Sequence, residues 1–158
     1  MTQPQKLLQQ IYQTLLECFG EQEWWPAETP VEVMIGAVLT QNTNWKNVEK
    51  AIACLREHDL LDAERIVTLP IDELAKLIRS SGYFNVKAQR LQTLFGWYLG
   101  NGGFQAISEW PTKRLRDELL GLKGVGPETA DDILLYAFER PVFVVDAYLR
   151  RVLSRVGL

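Results

Sequence analysis

Residues 31–39, Val-Glu-Val-Met-Ile-Gly-Ala-Val-Leu, are apolar nearly all round when wound as a helix. Such a helix is stable in water only when other elements enclose it. This segment therefore requires a fold built around one buried central helix. Its start is marked by Thr29-Pro30-Val31-Glu32, which combines a capping box with proline at the first helical position. It stops near the polar run Gln41-Asn42-Thr43-Asn44.

The enclosing elements also read as helices. Residues 5–19 place Leu7, Leu8, Ile11, Leu15, Leu16 and Phe19 at three- and four-residue spacing, and a loop from Gly20 to Ala27 containing Trp24-Trp25-Pro26 follows. Periodicity predicts further helices over 46–56, 62–68, 71–79 and 85–99, the last ended by Asn101-Gly102-Gly103. After Trp110-Pro111, Thr112 is expected to cap a helix through Leu119. Another spans about 127–138 until Arg140-Pro141 breaks it. Val142 to Val145 reads as a short extended apolar run, and a last helix starts near Asp146. No alternating strand pattern persists, so the fold class is all-α. Trp97 and Trp110 are expected in the core.

A chain of 158 residues holds one sizeable core or two small interleaved ones. No stretch approaches the ~18 consecutive apolar residues of a membrane span, and no apolar signal core follows Met-Thr-Gln-Pro-Gln-Lys, so a cytoplasmic location is expected. Cys18 and Cys54 make neither a disulfide framework nor a four-ligand metal site and are expected as buried thiols. The net charge of −3 argues mildly against a nucleic-acid partner, but Arg140, Arg150, Arg151 and Arg155 stand against Asp146 alone in residues 140–158. That cluster reads either as a local basic face or as a solvated helix surface.

Chemistry first becomes specific at Leu122-Lys123-Gly124-Val125-Gly126-Pro127, which joins two amphipathic helices. Two glycines around one inward-pointing apolar residue make a tight turn that exposes backbone N–H groups at a helix N-terminus, an anion site. An ordinary helical hairpin with glycine punctuation is the alternative.

The stretch Leu-Lys-Gly-Val-Gly-Pro-Glu-Thr-Ala-Asp (122–131), followed by Phe-Val-Val-Asp-Ala-Tyr-Leu-Arg-Arg-Val (143–152), resembles the signature of the helix-hairpin-helix DNA glycosylases. Leu-Thr-Gln-Asn-Thr (39–43) and Gly-Tyr-Phe-Asn-Val-Lys-Ala (82–88) resemble two further blocks of the endonuclease III branch, in the family's order. The resemblance implies a six-helix barrel over roughly 21–139, with the helix-hairpin-helix at about 112–138. Residues 1–20 and 140–158 then form part of a second helical subdomain. The implied reaction is hydrolysis of the bond between a damaged, flipped-out base and its deoxyribose, on double-stranded DNA.

In that reading Asp146 aligns with the shared catalytic acid, stabilising the sugar cation and orienting the attacking water; a plain aspartate N-cap is the alternative. Glu128 stands where lyase members carry a lysine, and a carboxylate cannot form an imine, so the implied enzyme is monofunctional. Trp25, Pro26 and Trp45 with Glu128 resemble the base pocket of 3-methyladenine glycosylases, where aromatic faces and a negative charge favour a cationic alkylated purine; core packing is the other role open to those rings. Gln41 matches the residue that fills the gap left by the flipped nucleotide, or is simply a polar helix end. Lys123, Gly124, Val125, Gly126 and Thr129 are the expected DNA contacts.

The family further implies a monovalent cation on the carbonyls of Leu120, Leu122 and Val125. A four-cysteine iron–sulfur cluster is found in many relatives beyond the point where this chain stops. Without it, this chain has no cofactor of its own. Two rival readings remain: an endonuclease III-like pyrimidine-damage glycosylase with weak lyase activity through another lysine, and a non-catalytic hairpin protein that only grips phosphates. The apolar stripe Leu149, Val152, Leu153 and Val156 leads to the expectation of a truncated form of a longer monomeric protein, prone here to dimerise.

Overall fold

In the computed structural model, residues 2–22 and 24–158 are described, and among them lie ten α-helices and no strand. The helices are α1 (Gln3–Phe19), α2 (Pro30–Leu39), α3 (Trp45–Glu57), α4 (Ala63–Thr68), α5 (Ile71–Leu77), α6 (Phe84–Gly100), α7 (Gly103–Ser108), α8 (Thr112–Leu120), α9 (Pro127–Asp132) and α10 (Ala147–Arg155). A 3₁₀ turn occupies Arg79–Ser81, and α9 runs on as a π-helical turn, Ile133–Ala137. None of the helices is long and apolar enough to cross a membrane. The chain separates into two units, one of Ala27–Val144 and one of the residues up to Pro26 with Val145–Leu158.

The first of these is organised by α2, which is buried from Glu32 to Leu39. Helices α3, α6 and α9 with its π turn pack around it, and α4 and α5 lie against α6. The start of α2 follows the expected cap in part. Thr29 Oγ1 accepts the Glu32 N–H at 3.1 Å, but the Glu32 carboxylate does not return to Thr29. It accepts the Glu28 N–H at 3.1 Å and the Arg56 guanidinium at 2.5 Å. The reason is electrostatic: a carboxylate buried this deeply needs a cation, and α3 supplies one.

Four other expectations change. Helix α7 lies where the periodicity predicts none, and only Ile107 in it is buried. Pro111, not Thr112, occupies the N-cap of α8, and no side-chain bond closes it. The 127–138 helix loosens to π geometry midway. Trp97 and Trp110 are half-buried and meet edge to face at 6.0 Å, bordering the core and not filling it.

The second unit contains α1 and α10, and neither buries a residue fully. Cys18, expected as a buried thiol, is exposed on α1, and Cys54 on α3 is half-buried. Two helices supply too little surface to enclose a side chain.

Ile35→Ala is expected to destabilise the Ala27–Val144 unit by about 2–5 kcal/mol, because α2 cannot collapse into the space left. Leu15→Ala on exposed α1 is expected to cost about 1 kcal/mol or less. Urea denaturation followed by circular dichroism reads both.

Candidate functional site

The turn between α8 and α9 is closed by the Leu122 N–H bonding the Leu119 carbonyl and the Val125 N–H bonding the Leu122 carbonyl, each at 3.1 Å. Its two glycines serve different ends. Gly124 has φ +95°, and a Cβ there would lie 2.5 Å from Cγ and Nε of Arg90, so both backbone and packing demand glycine. Gly126 has φ −95° and open space beside it, so the fold does not require its glycine. Val125 between them is buried, as expected, and Lys123 is exposed.

The two hairpin helices are clamped by a bidentate pair, Arg116 Nε and Nη2 donating to the Asp131 oxygens at 2.7 and 3.0 Å. Such forks are directional as well as strong. The bond raises the Arg116 pKa further above its usual range.

Gln41, Gly124 and Thr129, named from sequence as DNA contacts, meet in one cluster. Gln41 Nε2 donates to the Gly124 carbonyl at 3.0 Å and to Thr129 Oγ1 at 2.9 Å. Its Oε1 accepts the guanidinium of Arg90. Below this cluster Lys87 is almost wholly buried, 1% exposed, and its ammonium donates to the carbonyls of Leu39 at 2.9 Å and Ser81 at 2.6 Å. It thereby ties the end of α2 to the turn that precedes Tyr83. Desolvation, and secondarily the charge of Arg90, lower its pKa to about 8.

The expected pocket and catalytic residues are divided between the units. Trp45 opens α3, and Glu128 lies exposed in the first turn of α9, both within Ala27–Val144. Trp25, half-buried, and exposed Pro26 belong to the other unit, as does Asp146. Asp146 is the N-cap of α10, and its Oδ1 accepts the Leu149 N–H at 2.6 Å. The apolar run Val142 to Val145 before it is not enclosed, since Phe143 is 65% exposed. Of the three carbonyls named for a cation, that of Leu122 accepts a backbone N–H, while those of Leu120 and Val125 accept none among the described residues. Two open carbonyls beside a tight turn suit a monovalent ion. Two cysteines cannot supply four thiolates, so an iron–sulfur cluster has no site among these residues.

Arg90, Lys87 and Arg116 escaped the sequence reading. For Lys87 a signal existed: it shares the apolar face of α6 with Leu91 and Leu94, where a lysine is out of place. Tyr83 was also missed; 71% exposed, it enters α6 with φ 45°, a conformation uncommon for a bulky residue.

Comparison with known proteins bears on the family and the all-α fold. Residues 35–158 match the HhH-GPD superfamily base excision DNA repair proteins. A protein of Methanocaldococcus jannaschii, named as a DNA repair glycosylase, is 49% identical over 97% of this chain and 71% of its own length. Endonuclease III of Thermotoga maritima is 32% identical over 81% of this chain, which spans only 57% of that enzyme. Among solved structures, the 3-methyladenine DNA glycosylase of H. pylori bound to 1,N6-ethenoadenine superposes with a TM-score of 0.83 at 34% identity, covering 97% of this chain and 73% of its own. A non-covalent endonuclease III–DNA complex gives 0.82 at 28% identity, covering 99% and 70%.

The Lys87 pKa carries a stability consequence. Between about 8 and 10.5 the unfolded chain holds the lysine proton while the folded chain has released it. The unfolded state thus binds more protons, and stability rises with pH across that window. The melting temperature of the parent relative to Lys87→Met is expected to climb from pH 8 to pH 10; a flat difference contradicts the assignment.

Proposed function

Because this chain belongs to the HhH-GPD superfamily of base excision DNA repair proteins, in its endonuclease III branch, we propose that it is a monofunctional DNA glycosylase that removes alkylated purines from double-stranded DNA. The observation that carries the reading is Glu128, a carboxylate in the first turn of α9, one residue before the Thr129 of the hairpin cluster. Lyase members need an amine at this position, and an acid there favours a cationic base.

The hairpin grips phosphate through the backbone N–H groups around Gly126, with Lys123 adding charge. A cation bound by the Leu120 and Val125 carbonyls would add positive charge at the same turn. Gln41 fills the gap left by the flipped nucleotide. Trp45 offers the base an aromatic face, where stacking is worth roughly 1–3 kcal/mol and a positive purine gains from the ring. Asp146 keeps one oxygen on the Leu149 N–H and turns the other to the sugar. There it stabilises the oxocarbenium-like transition state and aligns water for attack. Water adds at the sugar carbon as the glycosidic bond breaks, the cationic base leaves neutral with the bonding pair, and the proton lost by the added water passes to solvent.

Similarity to endonuclease III favours a second reading, pyrimidine-damage excision with lyase activity through another lysine. Lys87 has the depressed pKa that an imine-forming amine needs, but it is buried and held by two carbonyls, out of reach of a sugar. Lys123 is exposed at the phosphate-facing turn.

Asp146→Asn is expected to lower single-turnover excision of 3-methyladenine or ethenoadenine by about 10²-fold or more while duplex affinity holds; near-parental excision would remove Asp146 from the mechanism. Borohydride added during turnover is expected to trap no protein–DNA adduct, and the abasic strand should stay intact. Efficient trapping would establish the lyase reading instead.

A further inference from the structure

Gln41 is tied by both ends of its amide. Nε2 donates to the hairpin carbonyl of Gly124 and the hydroxyl of Thr129, and Oε1 accepts from Arg90. Arg90 itself lies so close over Gly124 that no Cβ fits between them. One helical turn earlier, Lys87 holds the Leu39 carbonyl, two residues before Gln41. Helix α6 therefore fixes both the root and the tip of the Gln41 side chain, while α9 and the hairpin turn hold its other face.

This inference rests on the reading that Gln41 enters the duplex. We infer that Arg90 is a positioning residue for that step: it holds the Gln41 amide against the hairpin, so that seating the hairpin on phosphate and bringing Gln41 to the base stack are one movement. Three facts favour this role over direct phosphate contact. One guanidinium nitrogen, Nη1, donates to Gln41, the aliphatic stem is pinned on Gly124, and the residue is half-buried. A glutamine with three rotatable bonds and no such tie would lose its rotamer freedom only on entering DNA, and that loss weakens insertion. With Arg90 in place the ordering is complete before DNA arrives. Arginine suits the task because its planar, permanently charged donors keep one geometry.

The test uses a duplex carrying 2-aminopurine next to a stable abasic analogue, whose fluorescence rises when a side chain opens the stack and which needs no chemistry. The parent protein is expected to give a clear rise, and Gln41→Ala to abolish most of it. Arg90→Met is expected to fall to the Gln41→Ala level, and the double variant to fall no further. Affinity for undamaged duplex is expected to stay within about threefold, since the phosphate contacts remain. Arg90→Lys, which keeps a charged donor and the stem, is expected to recover part of the rise and reads the same quantity should the Met variant fold poorly. A parental rise in Arg90→Met overturns the inference, as does a double variant weaker than Gln41→Ala. A parallel fall in affinity for undamaged duplex overturns it too, making Arg90 a phosphate contact. No rise with the parent protein also overturns it. Base release measured alongside separates the two readings: opening of the stack without release of any damaged base defeats the glycosylase proposal and leaves the role of Arg90 standing.

Discussion

A helix enclosed on every side leaves its last carbonyls with no water to turn to, and α2 is such a helix. The carbonyl of Leu39 is satisfied from within the protein by the buried ammonium of Lys87. At the other end, the buried carboxylate of Glu32 is matched by Arg56 from α3. These two side chains supply, from within the protein, the polar partners that the buried ends of α2 need. The first has a further effect, because Lys87 also holds the Ser81 carbonyl and so sets the turn before Tyr83. The chain emerging from α2 and the chain entering α6 are thereby spaced by one side chain.

The same logic extends to the hairpin. Gly124 can take its left-handed conformation with Arg90 lying over it only because it has no side chain, and Arg90 in that place is where Gln41 finds its donor. One glycine thus links backbone strain, packing and the orientation of a glutamine on another loop. The fork between Arg116 and Asp131 keeps the two hairpin helices at a fixed separation while this happens. Gly126, by contrast, has no positive φ and open space beside it.

Net charge proves a weak guide to the partner. Four acids are ion-paired, Glu32 with Arg56, Asp131 with Arg116, Asp117 with Lys113 and Asp59 with Arg65, but each pair cancels a base along with an acid, so the total says nothing of where the unpaired charges stand. What a polyanion meets is the remaining surface, with Lys123 exposed at the hairpin turn. Counting residues cannot show where on the surface a local basic face lies, because the placement of charges is a property of the fold.

Sequence alone determined the features that depend on near neighbours. The period of apolar residues marked the helices, Thr29-Pro30 marked the start of α2, and the Gly-Val-Gly turn with its flanking blocks marked the hairpin and the family. These rest on spacings of a few residues, which a linear reading can follow. Helix α7 escaped because its one buried residue, Ile107, makes no repeat. The partners of the key side chains were decided only by the tertiary structure. Gln41 meets Gly124 and Thr129 from 83 and 88 residues away. Glu32 turned from its cap to Arg56, and Lys87 went inward where its type predicts the surface. A hydrophobic pattern states which face of a helix turns inward but not which helix it will find there, and a buried polar group must take whatever donor or acceptor that encounter supplies.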